Sequence, residues 1–299
     1  MLEINGKIPA RWWSYKKNFG DLLGPWLMEQ MTGKEVVWAQ KSEPHYLFVG
    51  SVVDKVQPST VAWGPGSFGT EAKNELCKGP KYLAVRGPLT RAKLEMHGIP
   101  CPRIYGDPAL LCPDYYLPAI KPKHELGIVL RWSERGRIKK LIEQGIKVID
   151  LLTDKIEDTI DQFLSCEKII STSLHGLIIA DAYNIPNAWL IADTGTGKEH
   201  KFWDYLISVG KIRDPIEIDI KNEYYTPQRL LRDLNFDDRK IDIDLQMLRS
   251  TCPLLHRSED VLNAEAIALE NALPHEGKIG KPGAVLSRRV EKKPIATAA

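Results

Sequence analysis

The stretch Ile169-Ile170-Ser171-Thr172-Ser173-Leu174-His175-Gly176-Leu177-Ile178-Ile179-Ala180-Asp181-Ala182-Tyr183-Asn184-Ile185-Pro186 decides how this chain folds. An apolar strand pattern runs into three small hydroxyl residues and then into an almost continuously apolar helix. That is the strand–turn–helix unit of a covered parallel sheet, whose strands are buried on both faces. Ser171, Thr172 and Ser173 suit the helix N-cap, because their hydroxyls accept hydrogen bonds from the amides left unpaired there. Those amides and the helix dipole attract an anion such as phosphate or carboxylate. His175 stands in that positive first turn, with Gly176 beside it leaving room for close approach. On residue type two readings of His175 stay open. It meets a polar ligand, or it is a core histidine bonded to a neighbouring carbonyl.

The same alternation extends outward. Short apolar runs at 45–49, 60–63, 81–85, 126–130, 147–150, 168–170 and 188–191 read as buried strands. Helices fit between them at 22–31, 88–97, 133–144 and 154–164, with Pro88 a natural first helical residue and Gly98 and Gly145 natural stops. The proline-rich stretch 113–122 interrupts the pattern and reads as a link. The expectation is an α/β protein with two Rossmann-like domains facing a cleft. They span 1–118 and 119–273, the second including the terminal helices, and a flexible basic tail follows at 274–299. In open parallel sheets ligands bind where strand C-termini meet helix N-termini. That rule places His175, Arg86 and Arg131 together, each just beyond an apolar strand. The loop Trp63-Gly64-Pro65-Gly66-Ser67-Phe68-Gly69 also follows a strand; it reads either as a wall of the cleft or as a plain turn. Its spacing is not that of a dinucleotide fingerprint, and Pro65 removes an amide.

Composition bounds the class. With 43% hydrophobic and 27% charged residues over 299 positions, the chain can bury a sizeable core. No run approaches 18 apolar residues, and the early acid in Met1-Leu2-Glu3-Ile4-Asn5 is unlike a secretory signal. The five cysteines are odd in number and show no paired spacing, which reads as reduced thiols in a cytoplasmic protein. Net charge is +2. From Pro274 to Ala299 six Lys or Arg face two Glu, so this tail carries +4 and the rest −2. A slightly acidic body argues against nucleic acid. The tail reads as a solvated extension, with peripheral contact to the cytoplasmic face of the inner membrane as the alternative. His45, His97, His124, His200 and His256 are scattered without metal-ligand spacing, so no metal is expected. Gly195-Thr196-Gly197-Lys198 lacks the upstream glycine of a phosphate loop and reads as a mobile loop.

Four further segments carry a resemblance. They are Lys17-Asn18-Phe19-Gly20-Asp21-Leu22-Leu23-Gly24-Pro25-Trp26-Leu27, Val85-Arg86-Gly87-Pro88-Leu89-Thr90-Arg91, Tyr105-Gly106-Asp107-Pro108-Ala109-Leu110-Leu111 and Lys201-Phe202-Trp203-Asp204-Tyr205. With Ser173-Leu174-His175-Gly176, and in this order, they resemble the polysaccharide pyruvyltransferase family, nearest its bacterial exopolysaccharide branch, from about Asn18 to about Gly210. The resemblance implies a glycosyltransferase-B-like build. It also implies transfer of the pyruvyl unit of phosphoenolpyruvate onto a sugar as a cyclic ketal. The donor is then a co-substrate and no cofactor is needed; the acceptor is an oligosaccharide or a lipid-linked saccharide.

Phosphoenolpyruvate carries a carboxylate and a phosphate, which call for donors in fork geometry. Arg86 and Arg131 are the first candidates, with Arg91 and Arg103 behind them. Some family members carry an arginine two places before the histidine; here Ser173 stands there, which brings no charge and points to Arg131 or Lys201 as compensation. Ser173 and Leu174 before the histidine, and Gly20 and Asn18 in the first motif, complete the expected binding set, although Asn18 either bonds the acceptor sugar or fixes its own turn. His175 reads as phosphate ligand or acid, its proton affinity raised by a bound dianion. Asp21 and Asp107 read as bases or sugar-hydroxyl acceptors. Each has a capping alternative, Asp21 for the helix after Gly20 and Asp107 for an Asp-Pro helix start. Two rivals share these features: a nucleotide-sugar glycosyltransferase of the same build, and a non-catalytic sugar-binding protein.

Overall fold

The computed structural model describes residues 1–191, 199–220 and 222–272. The basic tail and the Gly195–Lys198 loop lie outside the described residues. The chain is α/β, with two parallel sheets.

The first sheet is built from β1 (Ile8–Ala10), β2 (Val36–Trp38), β3 (His45–Leu47), β4 (Thr60–Trp63) and β5 (Tyr82–Ala84), in the order β2-β1-β3-β4-β5. Helix α1 (Phe19–Thr32) joins β1 to β2, and α2 (Pro88–Met96) follows β5. The second sheet holds β6 (Gly127–Leu130), β7 (Lys147–Asp150), β8 (Ile169–Ser171) and β9 (Asn187–Trp189), in the order β7-β6-β8-β9. Its helices are α3 (Ile138–Glu143), α4 (Ile156–Leu164) and α5 (Leu174–Ala182). Beyond β9 come α6 (His200–Ser208), α7 (Pro227–Asp233), α8 (Leu245–Ser250) and α9 (Glu259–Glu270). The strand order reverses between β1 and β3 in the first sheet and between β6 and β8 in the second. Crevices open at such reversals, outside the strand C-termini.

Local chemistry explains the element ends. Asn18 caps α1 through its side chain to the Gly20 amide, and Gly33 ends the helix in the left-handed region at φ 66°. The N-cap is therefore Asn18, and the reading of Asp21 as a cap is corrected: Asp21 lies inside the first turn. Pro25 lacks the amide that would bond the Asp21 carbonyl, so this turn is held by tertiary contacts. The helix expected at 133–144 divides into a 3₁₀ segment, Trp132–Arg137, and α3. Gly136 is a weak helix former, and buried Glu134 turns inward to the Thr172 hydroxyl and Arg137. Strand β1 escaped the sequence reading because Pro9 interrupts its short apolar run, and β2 because Val36-Val37-Trp38 is a partly exposed edge strand without a long apolar run.

The largest core cluster takes Ile8, Tyr46 and Val61 from the first sheet and Val129, Ile149 and Ile169 from the second, so one apolar interior runs between them. Phe19 of α1 stacks on Phe163 of α4 with centroids 6.1 Å apart. The last helices return to the first sheet: α9 packs on β4 and β5. Tyr46 donates to Glu265, and the Trp63 indole donates to the Leu248 carbonyl at 3.2 Å.

Candidate active site

At the two strand-order reversals the N-termini of α1 and α5 meet. The backbone of Gly20 leaves no room for any side chain against the His175 imidazole. The Phe19 amide donates to the Leu151 carbonyl beyond β7, which fixes the start of α1 against the second sheet at 2.8 Å. Across the second reversal the Arg131 amide donates to the Thr172 hydroxyl at 3.0 Å, tying the loops after β6 and β8 together.

Ser173 is the N-cap residue of α5, yet its hydroxyl makes no capping bond. Ser171 instead accepts from the Ser173 amide at 3.0 Å and donates to the Ser173 carbonyl at 2.7 Å. The expectation of a hydroxyl cap is thus corrected. Among the described residues no side chain caps the first-turn amides of α5, which leaves its positive end uncompensated. Leu174 in that turn is buried.

His175 projects from this turn with Nε2 buried and without a hydrogen-bond partner among the described residues. A satisfied core histidine would have one, so that reading does not describe this side chain. Burial, and after it the positive charges of Lys201 and Arg86, lower its pKa to about 3. Without ligand the imidazole is neutral. Asp21 behaves oppositely. Burial lifts its carboxyl to about 7, with Lys201 pulling against the rise. A carboxyl titrating near neutrality is matched to proton transfer. Lys201, on α6, lies over Phe68 and beside Phe202, with ring centroids 5.5 and 5.3 Å from its ammonium. Arg131 at the end of β6 is lowered by burial, against the raising influence of Glu134 and Glu199.

Two expected site residues sit deeper than a ligand reaches. Arg86 is fully buried, and its guanidinium donates to Asp204 at 3.0 Å, the Ser51 hydroxyl at 2.7 Å and the Ser67 carbonyl at 2.8 Å. Its fork is occupied by the protein itself, which corrects its assignment as an open anion ligand. Asp204 also accepts from the Thr90 amide and hydroxyl at 2.8 and 2.7 Å. The loop after β4 forms the socket: a side chain on Gly66 would collide with the Arg86 guanidinium. The Trp63–Gly69 loop thus walls the arginine socket, and its Phe68 lies under the Lys201 ammonium. Asp107 is likewise fully buried and caps the 3₁₀ segment Pro108–Asp114 through the Ala109 amide at 3.0 Å. Burial raises it to about 6 against the Ala109 hydrogen bond and Arg86, and its second oxygen is unpartnered among the described residues. Its cap role stands, and contact with a sugar hydroxyl does not follow from a side chain with no exposed surface.

The structure thus brings Asn18, Gly20, Asp21, His175, Ser173, Leu174, Arg131 and Lys201 to adjoining loop ends, with Arg86 and Asp107 beneath. Sequence reasoning quoted Asp204 and Thr90 without giving them a role. A buried acid and a hydroxyl facing an arginine far away in sequence leave no local signal. Among the described residues no group of three or more His, Cys, Asp or Glu side chains is placed to hold a metal ion, and no helix is long and apolar enough to cross a membrane.

Comparison with known proteins shows the family. Residues 11–193 match the family model for polysaccharide pyruvyl transferase, a span that contains the starts of both α1 and α5. An uncharacterized protein of Acanthamoeba polyphaga mimivirus is 30% identical over 211 residues, covering 66% of this chain and 72% of that protein. The succinoglycan biosynthesis protein ExoV of Rhizobium meliloti (strain 1021) is 26% identical over 227 residues, covering 71% of this chain and 68% of its own length. No solved structure matches.

Proposed function

This chain belongs to the polysaccharide pyruvyl transferase family, and from that premise we propose that its donor is phosphoenolpyruvate and its acceptor a sugar of a polysaccharide or lipid-linked oligosaccharide. The product is a cyclic pyruvate ketal. A glycosyltransferase-B-like arrangement of the two sheets around a cleft, in the cytoplasm or at its membrane face, belongs to the same proposal. The observation that carries it is the meeting of α1 and α5 at Gly20 and His175. An uncapped helix N-terminus and an unpartnered imidazole nitrogen stand there beside a carboxyl that titrates near 7.

In this reading the phosphate and carboxylate are held by the Ser173 hydroxyl, by the first-turn amides of Leu174 and His175 and by the charges of Arg131 and Lys201. Asp21, its pKa raised to about 7 and so half protonated near neutral pH, gives its proton to the methylene carbon, and positive charge develops at the adjacent carbon. The first sugar hydroxyl bonds to that carbon and yields its proton to Nε2 of His175. The bound phosphate dianion raises the imidazole's proton affinity for this moment. Phosphate then departs with that proton, the second hydroxyl closes the ketal, and its proton restores Asp21. Two hydroxyl protons are spent, one retained as the methyl hydrogen through Asp21 and one carried off by phosphate.

His175→Gln is the test, because the amide keeps a hydrogen bond but cannot relay a proton. Incubated with phosphoenolpyruvate and saccharide acceptors, the wild-type chain should release phosphate and yield a pyruvylated saccharide by mass spectrometry. The Gln variant should do neither at an unchanged melting temperature. Ketal formation by the variant at near wild-type rate would remove His175 from the chemistry. Thermal stabilisation by nucleotide sugars and none by phosphoenolpyruvate would replace the donor.

A further inference from the structure

The loop between β1 and α1 reads Arg11-Trp12-Trp13-Ser14-Tyr15-Lys16-Lys17-Asn18, and it ends on the cap of the helix that carries Gly20 and Asp21. Trp13 and Tyr15 face each other with ring centroids 6.2 Å apart and planes inclined by 34°. Tyr15 is 87% exposed. From the other sheet Trp132 follows Arg131 directly and is 46% exposed. The Lys16 ammonium lies 4.2 Å from the centre of the Trp132 ring. Next to it Lys17 pairs with Asp154 beyond β7 at 2.6 Å. These contacts, with the Phe19–Leu151 hydrogen bond, lash the loop of one sheet to the loops of the other along the rim of the site.

Trp13, Tyr15 and Trp132, joined through Lys16, belong to none of the core clusters, and large rings left at the surface beside one another mark a binding surface. We infer that Trp13, Tyr15 and Trp132 form the platform on which sugar units of the acceptor chain, next to the unit being modified, are seated. The inference rests on the transferase reading above and names where its saccharide lies. A pyranose presents a face of C–H groups with partial positive charge, which fits the negative face of an aromatic ring. Its hydroxyls point outward at the edges, where Lys16 and Lys17 supply donors. The Lys16 cation over Trp132 and the ring pair of Trp13 and Tyr15 fix the aromatic planes before a ligand arrives, so little order must be imposed on binding. Anion chemistry stays one helix turn inward, at Gly20, His175 and Lys201, so the rim and the donor pocket are separable by mutation.

The experiment uses the double variant Tyr15→Ala/Trp132→Ala, whose truncated rings lie at the surface, with Tyr15→Phe as the control that keeps a ring. The probes are pyranose oligosaccharides of increasing length and the methyl glycosides of the same sugars. Binding is followed by saturation-transfer NMR, which needs no turnover, and KM is measured for acceptor and for phosphoenolpyruvate separately. The double variant should lose binding of the longer oligosaccharides and raise their KM about tenfold. KM for the methyl glycosides and for phosphoenolpyruvate should stay at wild-type values, and Tyr15→Phe should behave as wild type. Oligosaccharide binding equal in wild type and double variant, or absent from both, would overturn the platform. So would a parallel rise in the KM for phosphoenolpyruvate. Saccharide binding lost in the variant while the wild-type chain transfers no pyruvyl group would sink the transferase reading and leave the platform standing.

Discussion

A Cβ placed on Gly20 would stand 2.0 Å from Nδ1 of His175. Gly20 is helical and needs no unusual backbone angle, so the requirement for glycine here is purely one of space. The consequence is mutual: the start of α1 sets where the imidazole can point, and the imidazole sets how closely α1 and α5 approach.

Gly20→Ala should therefore act on the site more than on the fold. The methyl group forces the imidazole out of its seat, at an overpacking cost of about 1–3 kcal/mol. Transfer activity should fall to background while the chain still unfolds cooperatively in urea. Gly136→Ala, where nothing lies within 4 Å of the added carbon, is the matched control and should keep both properties. Retained activity in Gly20→Ala would show that His175 is free to work from another position.

The two titrating groups give stability opposite slopes with pH. The Asp21 carboxyl moves from 3.8 to about 7 on folding. Between those values the native chain keeps a proton that the unfolded chain releases, so this group's contribution falls as pH rises and the cost is complete above pH 7. His175 moves from 6.5 to about 3. The unfolded chain then takes up a proton the native chain refuses, so its contribution falls as pH drops through that window. Asp21→Asn should accordingly be more stable than wild type above pH 7, by roughly 1–3 kcal/mol. The gain should vanish near pH 4. Melting curves at both pH values check this, and an equal gain at both would mean that the Asp21 carboxyl is not held protonated.

Arg86→Ala should first cost folding. It leaves Asp204 buried without its counter-charge, a change worth about 3–5 kcal/mol. Arg86→Ala with Asp204→Ala should cost less than the sum of the single changes, which a double-mutant cycle in denaturant measures. Additive losses would mean that the pair is not coupled.

Much of this molecule can be read from its sequence where local chemistry speaks. The apolar runs found β3 through β9, and the hydroxyl-rich turn before His175 located the start of α5 and the unusual polarity there. What stayed hidden depends on residues distant in the chain. Arg86 looked like a ligand because its partners Ser51, Ser67 and Asp204 are 35, 19 and 118 positions away. Ser173 looked like a cap because the competing hydroxyl of Ser171, two residues earlier, folds back on it only once β8 ends. Whether Asn18 or Asp21 sets the start of α1 stayed open on residue type, because the choice rests on a tertiary contact, Phe19 to Leu151, that starts α1 one residue after Asn18.

The return of the last helices to the first sheet orders events during synthesis. On the ribosome β1 to β5 emerge early, yet Arg86 gains its acidic partner only when α6 has left the exit tunnel. Trp63 and Tyr46 wait longer still, for Leu248 and Glu265. Until then the nascent chain holds an early sheet with an uncompensated cation and uncovered strands, the kind of intermediate that chaperones shelter. Translation must run almost to the end of α9 before the part made first can close.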